Sequence, residues 1–225
     1  MVLQLDLSGN ELCGLDNDGD GTYTAEGITE IADALRVNGG LTSIDLSGNE
    51  LCGIWTDDDG DQQGTYTAEG IIAIADALRV NGGLTVANLL CNKLDVESAK
   101  MLAEVAKQKG ISLCGIQRDQ TTADFSKQNR KPPDAILLAS DLTQAVVTGG
   151  LTSINLSGNH LTNYGTDMTG VKELAAALGV NGALTVTNLL GNQLDAESAK
   201  MLAEVAKQKG ISLCGIPGPL ITEME

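Results

Sequence analysis

One short pattern recurs along the 225-residue chain, and it restricts the fold more than any other feature. Val2-x-x-Leu5-x-Leu7-x-x-Asn10-x-Leu12 returns as Leu41-x-x-Ile44-x-Leu46-x-x-Asn49-x-Leu51, and again over 84–94, 151–161 and 184–194. The asparagines fall at 10, 49, 92, 159 and 192, in steps of 39, 43, 67 and 33 residues. The step of 67 hides one degenerate copy: Asp124-Phe125-Ser126 matches the strand end Asp45-Leu46-Ser47, with Gln128 or Asn129 near the asparagine position. A strand-like segment, 111–116, precedes it, and its copy at 211–216 ends the regular pattern. Residues 84–116 and 184–216 differ at only four positions: Ala87/Thr187, Cys91/Gly191, Lys93/Gln193 and Val96/Ala196. A single such unit cannot bury its own apolar face, so units must stack.

Between the asparagine motifs, apolar residues follow the 3.6-residue period of a one-sided helix. This predicts helices over Ala25–Val37, Ile71–Val80, Val96–Lys109, Asp134–Val147, Val171–Val180 and Ala196–Lys209. Ile28, Ile31, Ala32 and Leu35 face inward in the first, and Ala99, Leu102, Ala103 and Ala106 in the third. Asn38-Gly39-Gly40, Asn81-Gly82-Gly83 and Asn181-Gly182-Ala183 are expected to end helices as left-handed caps. Pro132-Pro133 suits a helix start. Aromatic residues make up only 2 % of the chain, so the core is built in thin layers of Leu, Ile, Val and Ala.

L-x-x-L-x-L-x-x-N-x-L followed by a helix resembles the leucine-rich repeat, in its ribonuclease-inhibitor-like subtype. The resemblance covers nearly the whole chain. It implies an α/β solenoid, a horseshoe with a parallel β-sheet on the concave face and α-helices on the convex face, and a function in protein binding. The expected organisation is one domain over 1–216, with about six to seven strand-helix units, an irregular unit near 111–150 and a tail over 217–225. The repeats exceed the roughly 28 residues of this subtype, and the excess lies in loops after the asparagine. Asn10, Asn49, Asn92, Asn159 and Asn192 are expected to point inward as a structural ladder, bonding backbone groups freed where each strand turns away.

Thirty acidic and fourteen basic residues leave a net charge of −16, which argues against a phosphate-backbone partner. No apolar run reaches the roughly 18 residues of a membrane span, and the first residues do not read as a signal peptide. Five cysteines without a small-scaffold spacing read as reduced thiols, hence a cytoplasmic protein. Cys13 with Cys52, and Cys114 with Cys214, take equivalent repeat positions and read as small buried apolar residues. The single histidine, His160, follows Asn159 in a slot that varies between copies and has no base partner, so it reads as an exposed surface residue. No catalytic residues are assigned.

Asp16-Asn17-Asp18-Gly19-Asp20-Gly21-Thr22-Tyr23-Thr24 matches a calcium loop through its ninth position, but Glu26 falls at position 11 where the bidentate ligand belongs at 12. The second acidic segment holds Asp57, Asp59 and Asp61 but has Gln62 where glycine is needed. Stacking would gather Asp16, Asp18, Asp20, Asp57, Asp59 and Asp61 on one rim, either as a solvated patch or as a site for Ca2+; no other cofactor is implied. The second candidate is the concave face, with Thr85, Val86 and Asn88, then Thr185, Val186 and Asn188, the edge residues Leu90 and Leu190, and the rim aromatics Trp55 and Tyr164. The leading expectation is a non-enzymatic scaffold for a protein partner. A calcium-responsive protein comes second. A GTPase-activator-like regulator, suggested by fold resemblance alone, comes third. The uncovered first strand predicts self-association through the N-terminal edge, against the rival accounts of a fragment or a short natural cap.

Overall fold

The middle residue of the repeat strand is buried at Ile44, Ala87, Ala123, Ile154 and Thr187, and equivalent repeats pair through equivalent residues, so the strands are short, parallel and in register. The computed structural model describes residues 3–15, 21–56 and 62–213. The chain forms two compact units, 1–115 and 116–225.

The first unit runs β1 (Gln4–Asp6), α1 (Glu26–Val37), β2 (Ser43–Asp45), β3 (Ile54–Thr56), β4 (Gln62–Gly64), α2 (Glu69–Val80), β5 (Val86–Asn88) and α3 (Val96–Lys109). Its sheet is β1-β2-β5, all parallel, with Gln4 opposite Ser43 and Ser43 opposite Val86. Ser112 adds one further parallel bridge to Val86. Strands β3 and β4 form a separate antiparallel hairpin. Helix α1 packs on α2, and α2 on α3.

The second unit runs β6 (Thr122–Asp124), α4 (Pro132–Leu142), α5 (Ala145–Thr148), β7 (Ser153–Asn155), α6 (Thr169–Val180), β8 (Val186–Asn188), α7 (Ala196–Lys209) and β9 (Ser212–Leu213). Its sheet is β6-β7-β8-β9, again all parallel. The degenerate copy is therefore a real one, with β6 as its strand. Both units are mixed α/β, and their cores are aliphatic: Ile28, Ile44, Leu46, Ile71, Leu89 and Leu102 are fully buried in the first, Ile154, Leu156, Leu161 and Val171 in the second. Burying such a side chain contributes roughly 1.5–3 kcal/mol.

Two local expectations need correction. The helix expected over Asp134–Val147 is two helices. The Thr143 hydroxyl donates to the Ser140 carbonyl at 2.7 Å and the Thr148 hydroxyl to the Asp141 carbonyl at 3.2 Å, satisfying acceptors that a break exposes. Nor are Asn38, Asn81 and Asn181 left-handed: their φ/ψ values are −83/111, −61/133 and −64/133, extended backbone. The left-handed caps are Gly110 and Gly210, after α3 and α7, with φ of 67° and 69°.

Candidate partner-binding face

An asparagine at a strand's exit presents one acceptor and two donors to neighbouring backbone, and the sheet register brings those neighbours within reach. Asn49 Oδ1 accepts the Asn10 backbone N–H at 2.8 Å, and Asn92 Oδ1 accepts that of Asn49 at 2.9 Å. The Asn49 Nδ2 donates to Leu7 and Leu46 carbonyls at 2.8 and 3.0 Å, and the Asn92 Nδ2 to Leu46 and Leu89 carbonyls, both at 3.0 Å. In the second unit Asn159 bonds the Phe125 and Leu156 carbonyls at 2.8 and 2.9 Å, and Asn192 those of Leu156 and Leu189 at 2.8 and 3.0 Å. These four amides are buried. Asn10 is the correction: its side chain is exposed and donates to the Ser8 carbonyl at 3.1 Å, on β1 at the edge of its sheet. Gln128 takes the same place in the second unit, exposed, its backbone N–H donating to Asn159 Oδ1 at 3.0 Å.

A second carboxamide series lies where the sequence suggested caps. Asn81 Nδ2 donates to the Leu35 and Asn38 carbonyls at 2.6 and 2.8 Å, tying the end of α2 to the end of α1. Asn181 Nδ2 does the same to the Leu142 carbonyl at 2.8 Å. The three equivalent Asn-Gly pairs were the available signal, but glycine after asparagine points equally to a turn.

The outer strand positions form two rows. Asp6, Asp45 and Asn88 are in register in the first unit, and Asp124, Asn155 and Asn188 in the second. Asp45 Oδ1 accepts from the Ser47 N–H and hydroxyl at 2.9 and 2.6 Å, while its Oδ2 accepts from Asn88 Nδ2 at 2.9 Å. The same turn at Asp6, with the Ser8 backbone N–H and then its hydroxyl donating, holds that carboxyl below the usual range; at Asp124 the Ser126 hydroxyl and N–H do so. Threonine hydroxyls stitch the strand starts: Thr42, Thr85, Thr152 and Thr185 each donate to the carbonyl of Leu3, Thr42, Thr121 and Thr152 respectively, all at 3.1 Å.

Of the expected contact residues, Thr185 is exposed, and Thr85, Asn88, Val186 and Asn188 are half-buried. Val86 is buried, a correction, since Val86 sits between its neighbours Ser43 and Ser112 in the sheet. Leu90 is fully buried too, whereas Leu190 is 55 % exposed. Trp55 lies half-buried on β3 of the hairpin, opposite Gln63, rather than in the sheet. Tyr164 is 63 % exposed, with its ring centroid 4.3 Å from that of His160. That contact leaves His160 half-buried instead of exposed.

Cys13, Cys52 and Cys114 are buried, as their repeated position predicted. Burial pushes the Cys13 thiol up to about 11 and the Cys52 thiol up to about 12, with hydrogen bonds from Tyr23 and Tyr66 as the opposing influences. Both are neutral thiols at physiological pH. Tyr23 and Tyr66, equivalent residues that the sequence reading passed over, reach into the next repeat: Tyr23 donates to the Leu51 carbonyl at 3.0 Å, and the Tyr66 hydroxyl lies 2.6 Å from Ser98 Oγ.

Asp16, Asp18, Asp20, Asp57, Asp59 and Asp61 lie outside the described residues. The stems on either side are described. Leu15 pairs antiparallel with Gly21, and β3 with β4. A Cβ on Gly64 would sit 2.2 Å from the Gly53 carbonyl oxygen, so the hairpin closes only with glycine there. Among the described residues no group of three His, Cys, Asp or Glu is placed to hold a metal, and no helix is long and apolar enough to cross a membrane.

No protein-family model matches the chain, and no curated protein matches it. Among solved structures the chain is similar to one described as Leiomodin-1 Actin-Binding Site 2 (ABS2), at 14 % identity over 90 % of this chain and 87 % of that one, with a TM-score of 0.37.

Proposed function

We propose that the chain is a leucine-rich-repeat protein of the ribonuclease-inhibitor-like subtype, and that it works as a non-enzymatic scaffold binding a protein partner through its strand face. The observation that carries this reading is the register. Equivalent residues of successive repeats stand side by side, so each parallel sheet offers a ruled polar surface of Thr, Ser, Asp and Asn. Such a face recognises a partner by many matched hydrogen bonds. With carboxylates in the row and a net charge of −16, the matching surface is basic.

Capture from native extract tests it. A protein held by the wild-type chain at physiological salt, and released both by high salt and by the paired change Thr152→Arg with Thr185→Arg, supports the strand face. Retention by the arginine variant, with its circular dichroism unchanged, would overturn it.

A second reading, calcium binding by the segments at 16–20 and 57–61, is favoured by the two equivalent hairpin stems, which return the chain close to where each acidic segment leaves. Calorimetric titration with Ca2+ decides: no heat and no rise in Tm would remove it.

A further inference from the structure

Three asparagine-glycine pairs follow α1, α2 and α6 within near-identical flanks: Val37-Asn38-Gly39-Gly40, Val80-Asn81-Gly82-Gly83 and Val180-Asn181-Gly182-Ala183. Asn-Gly is the dipeptide most open to attack by the following backbone nitrogen on the asparagine side-chain carbonyl carbon, because glycine has no Cβ to shield its nitrogen or limit its backbone. The open space is the same at all three sites, since a Cβ on Gly39, Gly82 or Gly182 would meet nothing within 4 Å. The Oδ1 bonds match as well. Asn38 Oδ1 accepts from the Gly40 and Leu41 N–H groups at 3.0 and 2.8 Å, Asn81 Oδ1 from Gly83 and Leu84 at 2.9 and 2.8 Å, and Asn181 Oδ1 from Ala183 and Leu184 at 2.9 and 2.8 Å.

The three differ at the nitrogen that must leave. Asn81 Nδ2 is held by the Leu35 and Asn38 carbonyls and Asn181 Nδ2 by the Leu142 carbonyl and the Thr148 hydroxyl, and both residues are buried. Asn38 is exposed, and its Nδ2 has no partner among the described residues.

We propose that Asn38 is a site of spontaneous deamidation, selected from three chemically equivalent sites by the carboxamide series that ties the helix ends. The Gly39 nitrogen bonds to Asn38 Cγ and gives up its proton, the Cγ–Nδ2 bond breaks, and ammonia leaves. Water then opens the five-membered imide at either carbonyl, giving aspartate or isoaspartate. Either product adds one negative charge. Isoaspartate also routes the main chain through the former side chain, which displaces the Asn38 carbonyl that receives Asn81 Nδ2 at 2.8 Å. The modification therefore loosens the tie between the ends of α1 and α2.

The test ages the full chain, folded, at mildly alkaline pH and physiological temperature, then digests it and scores each peptide by mass spectrometry for the one-dalton gain and for isoaspartate. Asn38 is expected to convert about 30-fold faster than Asn81 or Asn181, the equivalent of opening two net hydrogen bonds. In urea, with the fold removed, the three rates converge, and Gly39→Ala suppresses conversion at Asn38. Equal rates in the folded chain, earlier conversion of Asn81 or Asn181, or a preference for Asn38 that persists in urea would each overturn the proposal.

Discussion

Segments 84–116 and 184–216 are nearly the same sequence, yet the first hides side chains that the second leaves in water. Their helix caps and strand-exit amides bond alike. Asp95 and Asp195 each accept the N–H of the serine three residues on at 2.7 Å, and Asn92 and Asn192 each bond the carbonyl three residues back at 3.0 Å. Burial differs. Leu90, Ala99, Ala103 and Val105 are buried; Leu190 and Ala199 are exposed, and Ala203 and Val205 are half-buried. In the second copy Leu189, Leu190, Ala199, Leu202 and Leu213 line an open, mainly apolar recess of about 270 Å3. The lesson is a division of labour: a copy of the sequence carries its own caps and pins, while the depth of its burial comes from outside the copy.

Truncation sets the two segments furthest apart. Leu90→Ala is expected to lower stability by about 3 kcal/mol, and Leu190→Ala by less than about 1 kcal/mol. Urea denaturation of both variants measures this, and equal losses would break the comparison. Next comes the ladder. Asn92→Ala strands the Asn49 N–H and the Leu46 and Leu89 carbonyls, at a cost of about 2 kcal/mol, with a comparable loss for Asn192→Ala. Asn10→Ala, at the exposed end, is expected to change stability by less than about 0.5 kcal/mol.

A smaller effect has the opposite sign. Thr187 is buried with no partner for its hydroxyl among the described residues, where the first copy has Ala87. Thr187→Val keeps the volume and removes the unsatisfied group, so stability should rise by about 1 kcal/mol. The smallest effect is in acid. At Asp95, burial pushes the carboxyl up, but hydrogen bonds from the Ser98 N–H and hydroxyl and from Tyr66 outweigh it and hold it below its ordinary value. At Asp195 the Ser198 N–H, the largest influence there, likewise holds the carboxyl low. A depressed carboxyl stabilises the fold above its unfolded value near 4 and loses that contribution as pH falls through the folded one. Acid titrations of Asp95→Asn and Asp195→Asn should both be shallower than wild type below that value; a change at neutral pH alone would point to packing instead.

The strands of the parallel sheets and four of the five ladder asparagines were legible in the sequence, because a repeated residue at a strand exit has one structural use in a stacked array; the β3–β4 hairpin was not. Even the degenerate repeat was readable, with Gln128 and Asn129 both open at the asparagine position until the bond to Asn159 singled out Gln128. The rest depended on partners far along the chain. That Asn81 serves as a tie rather than a left-handed cap rests on the Leu35 carbonyl, 46 residues earlier. The contrast between Leu90 and Leu190 could not be read at all, since their flanks are almost the same. The break after Leu142 turns on two threonine hydroxyls that a hydrophobic period does not register.

The side-chain amides also explain why the spacing between bonded repeats can range from 31 residues, Gln128 to Asn159, to 43, Asn49 to Asn92. Each amide fastens one layer to the next at a single point beside the strand, whatever length of chain is looped out between layers. Surplus residues spool outward without disturbing the pitch, so whole segments can be spliced into or out of the outer turns while the layers keep their seating. A shift of the amide by one position, by contrast, would slip the stack a tooth.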